Sequence, residues 1–207
     1  MITVEEFCRR IADRDLDYLL DEVLLADSAA HVKGPDINYL QVAIAAKFGV
    51  VAEDVRVYVV GSAKLGFSII EKNKNGAILP RYRAFSAESD IDVAVVSPLV
   101  FSLIWNELSM HAHRVPRLPW DSGVLGDYLV CGWLRPDHFP VRSRLRRCDD
   151  WWDLFRNLSS DARYGRRRVR GGLFHSDEQM KQYLSRALNE CVVAESLNIW
   201  LLSQKCN

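Results

Sequence analysis

The chain has 207 residues, 49% hydrophobic and 26% charged, with a formal net charge of +0. This is the composition of a folded protein and excludes a disordered one; the length suits one domain, or a core with a helical appendage. With no net charge, no global field draws the chain to nucleic acid or membrane, so attraction to polyanions must come from local clusters. The five cysteines (Cys8, Cys131, Cys148, Cys191 and Cys206) are odd in number and scattered, without Cys-x-x-Cys spacing. That argues against a zinc site or a disulfide framework and for a reducing compartment. No apolar run reaches the length of a membrane span, and Glu5, Glu6, Arg9 and Arg10 do not make a signal peptide. A cytoplasmic protein is expected.

Thr3-Val4-Glu5-Glu6 fits a capping box, and Phe7, Ile11, Leu16, Leu19, Leu20, Val23 and Leu24 follow at roughly helical spacing. Pro35 suits the first turn of a second helix over 36–47, ended by Gly49, with Leu40, Ala43, Ile44 and Phe48 as its apolar stripe. Val57-Tyr58-Val59-Val60 is a β-prone run stopped by Gly61-Ser62. Residues 67–70 read as a short strand or a helical turn, 72–76 carry the Asn-Gly hairpin signal, and 81–85 return the chain toward the next strand. That strand is Ser89-Asp90-Ile91-Asp92-Val93-Ala94-Val95-Val96, β-branched with two carboxylates at its start. Ser97-Pro98 opens a helix over 99–111, with Phe101, Ile104, Trp105 and Leu108 on one side. Residues 128–134 read as a third core strand, ended by Pro136 and Pro140. From Val141 the composition shifts. Arg142, Arg144, Arg146 and Arg147, then Arg166, Arg167, Arg168 and Arg170, flank an amphipathic helix over 149–159. Residues 169–174 are a candidate strand, and Ser176-Asp177-Glu178-Gln179 opens a long final helix through Met180, Tyr183, Leu184, Leu188, Val192 and Leu197. The expected organisation is an α+β fold, a small mixed β-sheet flanked by helices. It comprises a core over 1–140 and an Arg-rich helical C-terminal part over 141–207, packed as one structural unit.

Chemistry concentrates at 57–96. Residues two apart on a strand share a face, so Asp90 and Asp92 project together, about 6–7 Å apart, while Ile91 points to the core. Two such carboxylates repel unless a cation lies between them, and an oxygen-only donor set favours Mg²⁺ or Mn²⁺ over Zn²⁺. Gly61 permits a tight turn and close approach of a phosphate to the backbone; the Ser62 hydroxyl and nearby N–H groups can bond phosphate oxygens. In this order, Gly61-Ser62 and Asp90-Ile91-Asp92 resemble the nucleotidyltransferases of the DNA-polymerase-β-like superfamily. The match covers about forty residues directly.

The resemblance implies a nucleotidyltransferase fold and Mg²⁺ or Mn²⁺ held by Asp90 and Asp92. It implies a nucleoside triphosphate oriented by Gly61 and Ser62 and neutralised by Lys64, with Ser89 binding Asp90 or capping the turn. It also implies a third carboxylate on a later strand. Asp127 and Asp137 flank the 128–134 run without the hydrophobic setting such an acid needs, and the 169–173 run carries Arg170 instead. The arginine clusters suit phosphate, and Trp151 and Trp152 beside them could stack bases. At helical spacing these tryptophans and Phe155 are more often core, and arginines more often a solvated face. His111 and His113 have no carboxylate or cysteine nearby to complete a metal site.

The leading expectation is a metal-dependent nucleotidyltransferase that moves a nucleotide from a nucleoside triphosphate to a nucleotide or oligonucleotide, RNA or protein hydroxyl. Its small size resembles stand-alone bacterial forms of anti-phage defence or toxin–antitoxin systems. The alternative is a catalytically inactive relative that binds nucleotide, RNA or a partner protein. A third possibility is an RNA-binding module built on the arginine clusters.

Overall fold

A computed structural model describes the backbone of residues 1–74, 76–139 and 145–205, and the side chains of the same residues except 74 and 197–205. Asn75, Pro140, Val141, Arg142, Arg144 and Cys206, with the Leu197 side chain, lie outside the described residues. Helix α1 (Val4–Ala12) is capped by the Thr3 hydroxyl, which accepts from the Glu6 N–H at 3.2 Å. The chain turns at Arg14 (φ +57°) into the short α2 (Leu16–Tyr18) and a turn of π-helix, Leu19–Leu24. Helix α3 (Gly34–Phe48) carries Pro35 in its first turn and stops at Gly49, whose left-handed conformation ends it. Then come β1 (Arg56–Val60), the five-residue α4 (Gly61–Leu65), a hairpin of β2 (Lys72–Lys74) and β3 (Ala77–Leu79), and β4 (Ile91–Val96). The Ser97 hydroxyl, fully buried, caps α5 (Pro98–Ala112) by accepting from Val100 N–H at 3.2 Å.

The run read as a third strand over 128–134 divides in two. Asp121 accepts from the Gly123 and Val124 N–H groups and starts α6 (Ser122–Val130). Gly132, at φ +62°, then reverses the chain, and only β5 (Trp133–Leu134) is extended. The apolar run satisfied both patterns, and the Asp121 cap decided for helix. The remaining elements are α7 (Arg146–Ser160), β6 (Val169–Phe174) and α8 (Asp177–Lys205), where Ser176 and Gln179 form the second cap. Residues 67–70 form no strand; Phe67 makes an isolated bridge to Ala84.

The sheet order is β1-β4-β6-β5, with β4 antiparallel to β1 and parallel to β6, and β5 antiparallel to β6. The fold is therefore a mixed α+β one. Because β6 inserts between β4 and β5, the Arg-rich C-terminal part and the preceding core share one sheet. Helices cover both faces, so β4 is apolar almost throughout. Ile91, Val93 and Val95 pack with Ile44, Ile104 and Trp151; Ala94 and Val96 pack with Phe7, Leu19, Met180 and Leu188. Trp151 and Phe155 are core, whereas Trp105 is 38% exposed.

Helix α7 crosses β6 at Gly171. A methyl carbon there would stand 2.3 Å from the Phe155 ring and 2.7 Å from that of Trp151. Gly171→Ala should therefore push α7 off the sheet and cost about 1–3 kcal/mol. The check is thermal unfolding: an unchanged midpoint would show that these rings give way freely.

Candidate functional site

The ladder between β1 and β4 ends on the pair Val60↔Asp92. Gly61 follows at φ +64°, in the left-handed region that side chains avoid. A methyl carbon on it would stand 3.5 Å from Asp92 Oδ2, so the Gly-Ser turn lies against the carboxylate. The Ser62 hydroxyl makes no hydrogen bond among the described residues, while the Ser62 carbonyl accepts from Gly66 N–H at 2.9 Å and closes α4. The two motifs that are far apart in sequence thus meet at one sheet end.

Asp92 stands in parallel register with Arg170 of β6, whereas Asp90 lies one residue before β4, not within it as the strand expected over 89–96 had it. The Arg170 Nε stands 3.3 Å from Asp90 Oδ2. Asp92 itself has no hydrogen bond or ion pair among the described residues. Burial pushes its carboxyl pKa up; Lys72, Arg170 and Arg135 pull it down, and Asp90 adds to the rise. A desolvated carboxylate without a partner is a poor structural element and a good cation ligand.

The other expected residues are placed differently. Lys64 is buried, and its ammonium donates to the carbonyls of Ala26 and Ser28, the latter at 2.6 Å. It ties the 26–28 loop to α4, so the ammonium expected to neutralise a triphosphate is engaged with these two carbonyls. Desolvation lowers its pKa, with Asp27 opposing. Ser89 takes its turn role: its hydroxyl accepts from Ser86 N–H at 2.9 Å. Asp127 is exposed on α6 rather than at a strand end. Asp137 is held bidentately by Arg135, at 2.8 and 2.7 Å. Arg81 and Arg83 donate to loop carbonyls at 69, 70, 79 and 80. His113 is exposed, and His111 packs beside Trp120 at 5.6 Å between ring centroids.

Among the described residues, no group of three or more His, Cys, Asp or Glu is arranged to hold a metal. The donor set fits one Mg²⁺ or Mn²⁺, which binds through one or two carboxylates plus substrate phosphates. It does not fit a second ion, since the β6 position beside Asp92 is a guanidinium.

Two arginines of the second cluster, read from the sequence as phosphate-binding or solvated, are placed against the acidic strand's entry. Arg167 donates to the carbonyls of Ser86 (2.5 Å), Ala87 (2.8 Å) and Ser89 (3.4 Å), bracing the turn that delivers Asp90. Arg170 reaches Asp90 itself. The available signal was the alternation of β6, which places Arg170 opposite the faces of Val169 and Gly171. A cavity of about 230 Å³ opens at this end of β6, lined by Asp137, Trp152, Arg168 and Arg170. The chain matches no family model, and no curated protein and no solved structure is similar to it.

Asp92→Asn should raise the unfolding midpoint at neutral pH, because an amide has no charge to desolvate. A carboxyl whose folded pKa lies above its unfolded one stabilises the fold most when protonated, and that contribution is lost as pH rises through the folded pKa. The gain should thus shrink as pH falls into the ordinary carboxylate range. Melts across that interval test it; a midpoint lowered at neutral pH would contradict the picture.

Proposed function

We propose that this chain is a nucleotidyltransferase, of the nucleotidyltransferase fold, that binds a nucleoside triphosphate at Gly61-Ser62 and transfers its nucleotide to a hydroxyl. The acceptor is a nucleotide or oligonucleotide, an RNA or a protein side chain, in a bacterial defence or toxin–antitoxin setting. The observation that carries this reading is that Gly61 leaves open the space beside Asp92, where a side chain's first carbon would stand 3.5 Å from a carboxylate that has no partner among the described residues. The strand arrangement supports it: the Gly-Ser turn follows the strand paired with the one that bears Asp92 and that Asp90 immediately precedes. The Ser62 hydroxyl and the turn's N–H groups orient the phosphates, where fixed donors stabilise charge that develops during transfer. Asp92, with Asp90, would hold the Mg²⁺ or Mn²⁺, which supplies charge neutralisation and Lewis acidity at the reacting phosphate. No helix among the described residues is long and apolar enough to cross a membrane.

A second reading, a relative that binds nucleotide or a partner without turnover, is favoured by the Arg170–Asp90 pair and by the absence, among the described residues, of a third acid grouped with Asp90 and Asp92. The two separate by incubation with each nucleoside triphosphate and Mg²⁺ or Mn²⁺, following pyrophosphate release. The transfer reading expects release that Asp92→Asn lowers by at least about 100-fold, or about 2.7 kcal/mol of barrier. Release unchanged in both Asp92→Asn and Asp90→Asn sinks it. No release from a protein that still binds a non-hydrolysable triphosphate establishes the second reading.

A further inference from the structure

The departure at Arg170 is specific. The residue stands in register with Asp92, and its Nε lies 3.3 Å from Asp90 Oδ2. That Nε is buried and makes no hydrogen bond, so the guanidinium is held close to Asp90 without its donor being properly used. The pair nevertheless borders solvent, with the two side chains 36% and 32% exposed. Arg135 cannot substitute, because it is locked on Asp137, and Arg167 is engaged with the carbonyls of the 86–89 turn. A guanidinium cannot ligate a metal and does not lose its proton in proteins. It can do two things at this position: neutralise a carboxylate, or grip phosphate oxygens with its planar fork. A phosphate gripped side-on would take the Nε edge that now faces Asp90, and in that geometry the two uses compete.

We propose that Arg170 is the internal counter-cation of this site and, in alternation, its polyphosphate ligand. It neutralises Asp90 while no nucleotide is bound and passes to the phosphates when a nucleoside triphosphate arrives, freeing Asp90 for a divalent cation. Metal and nucleotide affinities are then coupled, each raising the other by the same factor. This rests on the nucleotide-binding reading above.

The test titrates Mn²⁺ into the full chain, following free ion by electron paramagnetic resonance, with and without α,β-methylene nucleoside triphosphates. Wild type should bind Mn²⁺ weakly alone and at least about tenfold tighter with the analogue, within the usual range of coupling. Arg170→Gln should bind Mn²⁺ alone about tenfold tighter than wild type and lose most of the analogue effect. Arg170→Lys, which keeps the charge without the fork, should stay weak for Mn²⁺ alone, lose part of the coupling, and serve if the glutamine variant does not fold. Lys72→Gln removes an exposed charge that also acts on Asp92 and should change Mn²⁺ affinity by less than about threefold, as screened surface charges do. Analogue binding with Mn²⁺ affinity unchanged or weakened in Arg170→Gln overturns this proposal alone. Analogue binding absent from every variant overturns both it and the nucleotide-binding reading.

Discussion

The antiparallel pairing of β1 with β4 runs from Arg56↔Val96 to Val60↔Asp92, and the other features of the site depend on where it stops. One residue beyond its last pair, the chain leaves the sheet through Gly61, and only a residue without a side chain sits comfortably there at φ +64°. The register could not slip. Shifting β4 by one residue would exchange its two packed faces, carrying Ile91, Val93 and Val95 to the side of Phe7 and Met180 and turning Asp92 toward Ile44 and Trp151. The apolar packing of β4 on both faces therefore fixes the position of its acids more firmly than any contact the acids make themselves.

The electrostatics complete the arrangement from the other side of the sheet. Arg167 gathers the carbonyls of the 86–89 turn, and Arg170 meets the first acid just beyond it. Both come from the segment that enters β6, so the C-terminal part supplies the cations against which the acidic strand is set. Gly171 lets α7 settle on the strand that carries them. Lys64, by contrast, sits within four residues of Gly61 in sequence and yet turns to the 26–28 loop, where two carbonyls satisfy a buried ammonium that water no longer reaches.

Local signals were largely readable. Thr3, Ser97 and Ser176 cap the helices their spacing announced, Gly49 ends α3, and the two β-branched runs became β1 and β4. Where a run satisfied two patterns, as at 128–134, a side-chain cap and a glycine upstream and downstream settled the outcome. Trp105 belonged to the apolar stripe of α5 by spacing but stands partly in solvent, since nothing in a helical period says how wide the covered stripe is.

What the sequence by itself determined is the strand that carries Asp92, the glycine that follows β1, and the burial of these strands. These follow from backbone periodicity and side-chain volume, which act over a few residues. The tertiary structure alone decided which distant groups face which: Arg170 against Asp90, Lys64 against the carbonyls of the 26–28 loop, and Asp92 against no partner among the described residues. Ion pairing is set by the strand order β1-β4-β6-β5, which brings residues 92 and 170 side by side across a crossover of more than seventy residues. No local rule carries that distance.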